Sequence, residues 1–218
     1  MIANIHRTAR IDRSADVVDT ARIGPACTVG PRVTILEDAH IAKSCHISAD
    51  VTIGHSVTMG ESCEIGRGAI LGADTQLERE VRIGPHAICR AETAPRVVSC
   101  ETRRKSRQKL GFGQITLGQG ATVGPQAVIE AEATIGCYAL IGAGAVVNGD
   151  VPDYGLMVGN PAQLVGYVCR QGHRLTQMAD GRWHCPSCDE TVPIASDADA
   201  ALAPQQSATP GIVRRWLG

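Results

Sequence analysis

Stepping by six from Ile5 lands on Ile11, Val17, Ile23, Val29, Ile35, Ile41, Ile47, Ile53, Met59, Ile65, Leu71, Leu77, Ile83 and Cys89. The count resumes at Leu117 and runs through Val123, Ile129, Ile135, Ile141 and Val147. Four residues after each of these 21 positions, from Ala9 to Val151, stands only Ala, Cys, Val or Thr; one residue after, Gly stands in 11 cases. Neither a 3.6-residue helix nor the alternation of an ordinary strand produces this period. A hexad with one large and one small apolar position is a short strand and a corner, both apolar side chains pointing inward and Gly easing the bend. Three such sides close a triangle, and triangles stacked at the strand spacing of ~4.8 Å make a narrow prism.

Composition fits that prism. Hydrophobic residues make up 44% of the 218, enough for a core, yet aromatics are only 3%, and a narrow triangular interior has no room for them. Cys27, Cys45 and Cys63 recur at the small inward position and are expected to stack as a core ladder, with Cys89 also in the core. A net charge of −1 gives no global attraction to nucleic acid or an acidic membrane surface. No apolar run reaches the ~20 residues of a membrane span, the opening MIANIHRTAR lacks a signal-peptide core, and nine scattered Cys suit a reducing compartment. The expectation is a cytoplasmic protein with no membrane or nucleic-acid partner.

The hexads resemble those of hexapeptide-repeat proteins, which form left-handed parallel β-helices. The resemblance covers residues 5 to 152, about seven coils, and implies an all-β fold. The register breaks once, between Ala94 and Leu117, so an extruded loop is expected over 95–116. Downstream, the run IGAGAVVNGDVPDYGLMVGNPA is similar to the C-terminal end of acyl-CoA-dependent hexapeptide acyltransferases. That resemblance implies a homotrimer with acetyl-CoA lying between subunits, near Gly142, Ala143, Gly159 and Asn160. The extruded loop would fold over the acceptor, with Arg96, Arg103, Arg104 and Lys105 (and Arg107 and Lys109 beyond them) placed to meet phosphates. Phe112 would anchor it.

The nearest subgroup is the bacterial N-acetyltransferases that modify amino groups on nucleotide-linked sugars, some of which carry a Cys-rich tail. Here the tail reads VCRQGHRLTQMADGRWHCPSCDE. Cys185 and Cys188 form a CxxC knuckle; Cys169 and His173 are expected to complete a structural zinc site, with His184 ranked behind His173 because it adjoins Cys185. The domains expected are a coil over 1–168, a zinc-binding module over 169–189, and a largely disordered tail over 190–218.

Acyl transfer to an amine needs a proton acceptor, and His is the natural one near neutral pH. Among the coil's His residues, His86 stands two after Gly84, outside both inward positions and one hexad before the loop, and is the candidate base. The acceptor end departs from the subgroup: Ala91 takes the place of its Asn, and Arg67, Gly68 and Ala73 replace polar residues one coil earlier. The expectation is therefore a CoA-dependent N-acyltransferase of an amino sugar or similar small amine, with a non-catalytic trimeric scaffold or regulatory paralogue as the alternative. A zinc carbonic-anhydrase-like reading, hinted at by VTIGHSV, lacks further His at workable spacing after His55.

Overall fold

The structure is a computed structural model that describes residues 4–90, 113–179, 181–192 and 194. Each hexad forms one two-residue strand, from β1 (Asn4–Ile5) to β21 (Val146–Val147), 21 among the described residues. Every third strand pairs in parallel, giving three walls that each contribute seven strands to the coil, so the chain winds seven coils of the left-handed hexapeptide class. Register is set one coil apart: Arg22 pairs with His40, Thr28 with His46 and Thr34 with Thr52. The partner of Gln76 is Thr116, an offset of 40 where the other coils have 18, and the difference of 22 is the insertion expected from the broken register. The wall resumes before the sequence suggested: Ile115 is fully buried, and Thr116 opens the strand β16 (Thr116–Leu117).

The core is the column of hexad side chains. Among the described residues from Ile23 to Val147 the large and small inward residues are buried, and each Ile or Leu so placed contributes about 1.5–3 kcal/mol. Cys27, Cys45 and Cys63 do form a ladder, each thiol donating to a carbonyl of the following coil: Ala42 at 2.9 Å, Gly60 at 3.1 Å and Glu78 at 3.0 Å. Cys89 fills the large inward position, and burial pushes its thiol up to about 12.

Corners repeat as faithfully as walls. Among the described residues from Ala26 to Gly144, the third residue after each large inward position takes a left-handed backbone with φ near +60°, as at Asp50, Gly68, His86, Tyr138 and Gly144. Asp and Ser are frequent there, and an L-residue with a Cβ tolerates that conformation at a cost of roughly 1–2 kcal/mol. The coil ends where β22 (Gly155–Val158) pairs with β20 (Leu140–Ile141) and then turns back into the antiparallel β23 (Gln163–Tyr167).

Beyond it a small three-stranded sheet, β24 (Thr176–Gln177), β25 (Trp183–Cys185) and β26 (Glu190–Val192), forms the tail module. Residues 190–192 are thus part of the module rather than of a disordered tail: they pair with β25, and Val192 is buried. No helix among the described residues is long and apolar enough to cross a membrane.

Candidate functional site

One corner column, between the second and third walls, carries His86 and the ion pairs of Asp50. Reading along it, the left-handed positions are Arg32, Asp50, Gly68, His86, Gln126 and Gly144. Backbone hydrogen bonds tie the column together: Gly68 N donates to Ala49 O at 3.0 Å, His86 N to Arg67 O at 2.8 Å, Gln126 N to Pro85 O at 2.9 Å and Gly144 N to Pro125 O at 2.9 Å. His86 is exposed, as its sequence address implied. Its ring lies back over the preceding coil, so that a Cβ built on Gly68 would stand 2.5 Å from Nδ1 and 2.6 Å from Cε1.

Further up the edge, Asp50 binds two cations. Arg32 donates Nε to Oδ1 at 2.6 Å and Nη2 to Oδ2 at 2.9 Å, and Arg67 donates Nε to Oδ2 at 3.0 Å. These hydrogen bonds, from Arg32 first and then Arg67, hold the Asp50 carboxyl below its ordinary value. The sequence reading did not single out Arg32 or Asp50. An 18-residue stacking rule places both in the His86 column, so the signal was present.

At the other end of the same edge the four residues expected to hold the acyl donor come together. Gly142 N donates to Met157 O at 2.7 Å, and Val146 N to Gly159 O at 3.0 Å, which places Gly159 and Asn160 beside the last corner; Asn160 precedes Pro161 through a cis peptide. Ala143, Gly159 and Asn160 are exposed. At Gly142 the Cβ position lies 2.9 Å from Val158 Cγ1, so the missing side chain admits the protein's own β22. Gly159 needs its glycine for backbone geometry, with φ +99°. Arg96, Arg103, Arg104, Lys105, Arg107, Lys109 and Phe112 lie outside the described residues.

The tail brings Cys169, His173, Cys185 and Cys188 to one point, their ligand atoms all within 4.8 Å of one another. His173 Nδ1 stands 3.2 Å from Cys188 Sγ and 3.7 Å from Cys169 Sγ, and the two sulfurs are 3.9 Å apart. Local hydrogen bonds shape both halves: Cys169 N donates to His173 O and Gly172 N to Cys169 O, each at 2.8 Å, and Asp189 N to Cys185 O at 2.9 Å. Desolvation, then the neighbouring sulfurs, push the Cys188 thiol up to about 11. His184 faces away from the cluster, its Nε2 3.7 Å from Asp189 Oδ1. Three sulfurs and one imidazole nitrogen at this separation fit a tetrahedral zinc ion.

The architecture defines a hexapeptide-repeat parallel β-helix with a Cys/His-rich C-terminal module. Similar proteins are known. Over 59 residues the chain is 42% identical to dTDP-3-amino-3,6-dideoxy-alpha-D-galactopyranose 3-N-acetyltransferase of Aneurinibacillus thermoaerophilus, a match covering 27% of this chain and 31% of that enzyme. An N-acyltransferase from Bacillus cereus, solved with dTDP and coenzyme A, superposes with a TM-score of 0.52 at 16% identity, covering 75% of this chain and 84% of that one. GDP-perosamine N-acetyltransferase from Caulobacter crescentus, solved with CoA and GDP-perosamine, gives a TM-score of 0.49 at 24% identity, covering 73% and 57%. The chain thus spans about a third of the curated enzyme's length. No protein-family model matches it.

Proposed function

We propose that this protein is a CoA-dependent N-acyltransferase, most simply an N-acetyltransferase, acting on an amino sugar that can be nucleotide-linked. The observation that carries the reading is the shared edge. His86 and Gly144 occupy the same corner column two coils apart, roughly 10 Å at the strand spacing. A thioester whose carrier lies along Ala143, Gly159 and Asn160 can therefore bring its carbonyl toward His86 without leaving the edge. His86 takes the proton from the acceptor amine as the nitrogen attacks the thioester carbonyl, and the thiolate of CoA leaves. The local identity to a 3-N-acetyltransferase of a dTDP-linked amino sugar favours an acceptor of that class.

The assembly proposed is a homotrimer. On the third wall the outward ladder becomes apolar over four successive coils, Ile70, Ile88, Val128 and Val146, paired in register. Ile70 is 42% exposed in the single chain. The first wall presents Arg22, His40, Thr58, Gln76, Thr116 and Thr134 at the equivalent places. A flat apolar stripe on one wall suits burial against a second copy.

Zinc in the tail, held by Cys169, His173 through Nδ1, Cys185 and Cys188, would be structural, because four protein ligands leave no position for water. It would order a module too small to hold itself by apolar burial alone.

The test combines acetyl-CoA binding with turnover on a panel of amines and nucleotide-linked amino sugars. The reading expects His86→Ala to lower kcat by roughly 10² to 10⁴ with acetyl-CoA affinity retained. It expects Ala143→Trp to weaken acetyl-CoA binding without unfolding the coil. Absence of acetyl-CoA binding by the wild type would favour the scaffold reading instead.

A further inference from the structure

Gly68 and His86 are consecutive members of the edge column, and the imidazole fills the space that a side chain at position 68 would occupy. The ring edge carrying Nδ1 and Cε1 faces Gly68, with the Cβ position only 2.5 Å and 2.6 Å away, well inside any real contact. Among the described residues the same device occurs once more, on another corner: Gly120, with the same φ of +67°, is covered by the ring of Tyr138, whose Cδ1 and Cε1 each stand 2.5 Å from the Cβ position. By contrast Gly144, at φ +66°, has nothing within 4 Å. Left-handed backbone alone does not demand glycine on these corners, since Asp50, Ser62 and His86 itself adopt it. At positions 68 and 120 the absence of a side chain is matched to a ring arriving from the next coil.

We propose that Gly68 is a positioning residue for His86: by leaving its Cβ position empty it lets the imidazole lie flat against the coil, with Nδ1 turned to the wall and Nε2 as the nitrogen that takes the amine proton. The inference rests on His86 being the base of the proposed reaction. A methyl at position 68 drives the ring off this seat, and a base displaced by even 1 Å loses much of its rate advantage.

Three variants of the full-length protein separate the ring's seat from general destabilisation. Gly68→Ala adds both backbone strain and the clash. Gly68→Asn adds the clash, while Asn tolerates the left-handed conformation. Gly120→Ala adds matched strain and a matched clash at Tyr138, away from the proposed reacting edge. The expected result is that both Gly68 variants lose roughly tenfold or more in kcat with the KM for acetyl-CoA within about twofold, and shift the pH profile of kcat/KM. Gly120→Ala is expected to lose thermal stability as Gly68→Ala does yet keep kcat. Nitrogen-15 resonances of the His86 imidazole, read without any acceptor, are expected to move in both Gly68 variants and to stay in place in Gly120→Ala.

Unchanged kcat and unchanged His86 resonances in both Gly68 variants would overturn the proposal. If those variants match wild type while His86→Ala is inactive, only the positioning role falls. If His86→Ala keeps wild-type kcat, the base assignment falls and this inference with it.

Discussion

Tyr138 and Tyr154, consecutive residues of one corner column, stack with ring centroids 5.4 Å apart and planes 16° from parallel, and the guanidinium of Arg170 lies 5.2 Å from the Tyr138 centroid. Arg170 immediately follows the first metal-ligand candidate, Cys169, so this stack is a seam between coil and tail module. A second seam is internal: Tyr167 and Trp183, both buried, meet edge to face at 4.8 Å. Removing the first seam with Tyr138→Ala is expected to raise amide exchange across residues 169–192 several-fold while leaving the walls from Ile23 to Val123 unchanged. Equal protection in variant and wild type would show that the module holds itself.

Removal of the proposed zinc is expected to act on the same module from within. Chelation is expected to release about one zinc per chain, loosen residues 169–192 and spare the β-helix. Elemental analysis and hydrogen exchange before and after chelation check this. Cys188→Ser is expected to mimic chelation, whereas His184→Ala retains the metal, because His184 lies outside the cluster. Metal loss from His184→Ala with retention in His173→Ala would reverse the ligand assignment.

Thiol chemistry separates the two kinds of cysteine. Cys27, Cys45, Cys63 and Cys89 are fully buried, and Cys137 is partly accessible. In the native protein a thiol reagent is expected to modify Cys137 and none of those four until the coil unfolds. Cys45→Leu, which forces extra methylenes into the closed ladder, is expected to cost about 1–3 kcal/mol in a denaturation experiment. A melting temperature equal to wild type would mean the prism interior is looser than its burial indicates.

The Asp50 network gives a pH dependence of known sign. Hydrogen bonds from Arg32 and Arg67 hold the folded-state pKa of Asp50 below its unfolded value, so its contribution is fully present above the ordinary carboxylate range and fades as pH falls through the folded pKa. Asp50→Asn is therefore expected to lower the melting temperature slightly near neutral pH and not at all in strong acid. The effect is small because both arginines are well exposed and solvent screens them. A difference that persists unchanged at low pH would assign it to packing rather than charge.

Assembly is tested on the third wall. Ile88→Asp, in the middle of the Ile70, Ile88, Val128 and Val146 stripe, is expected to yield a folded monomer by light scattering, and the wild type a trimer. His40→Asp on the first wall, at a place already polar, is expected to leave the assembly intact. A trimer that survives Ile88→Asp would move the interface to another wall.

The repeat alone determined the coil. A large aliphatic every six residues with a small residue four later leaves the chain one way to bury both sets, and that local rule sets the 21 strands, the Cys ladder and the size of the insertion. The clustering of Cys169, His173, Cys185 and Cys188 was legible for a similar reason, since CxxC and Cys-x3-His are local spacings. The boundary at residue 190 was not legible: Glu190–Val192 carries no hexad signal and becomes a strand only by pairing with Trp183–Cys185. Nor was the purpose of two glycines. Gly142 has to admit Val158, and Gly68 has to admit the ring of His86, contacts between residues 16 and 18 apart that exist only once coils stack. The sequence dictates which side chains point inward because that is set within a hexad; which outward side chains meet is decided by stacking, where each residue's neighbour is a full turn of the prism away.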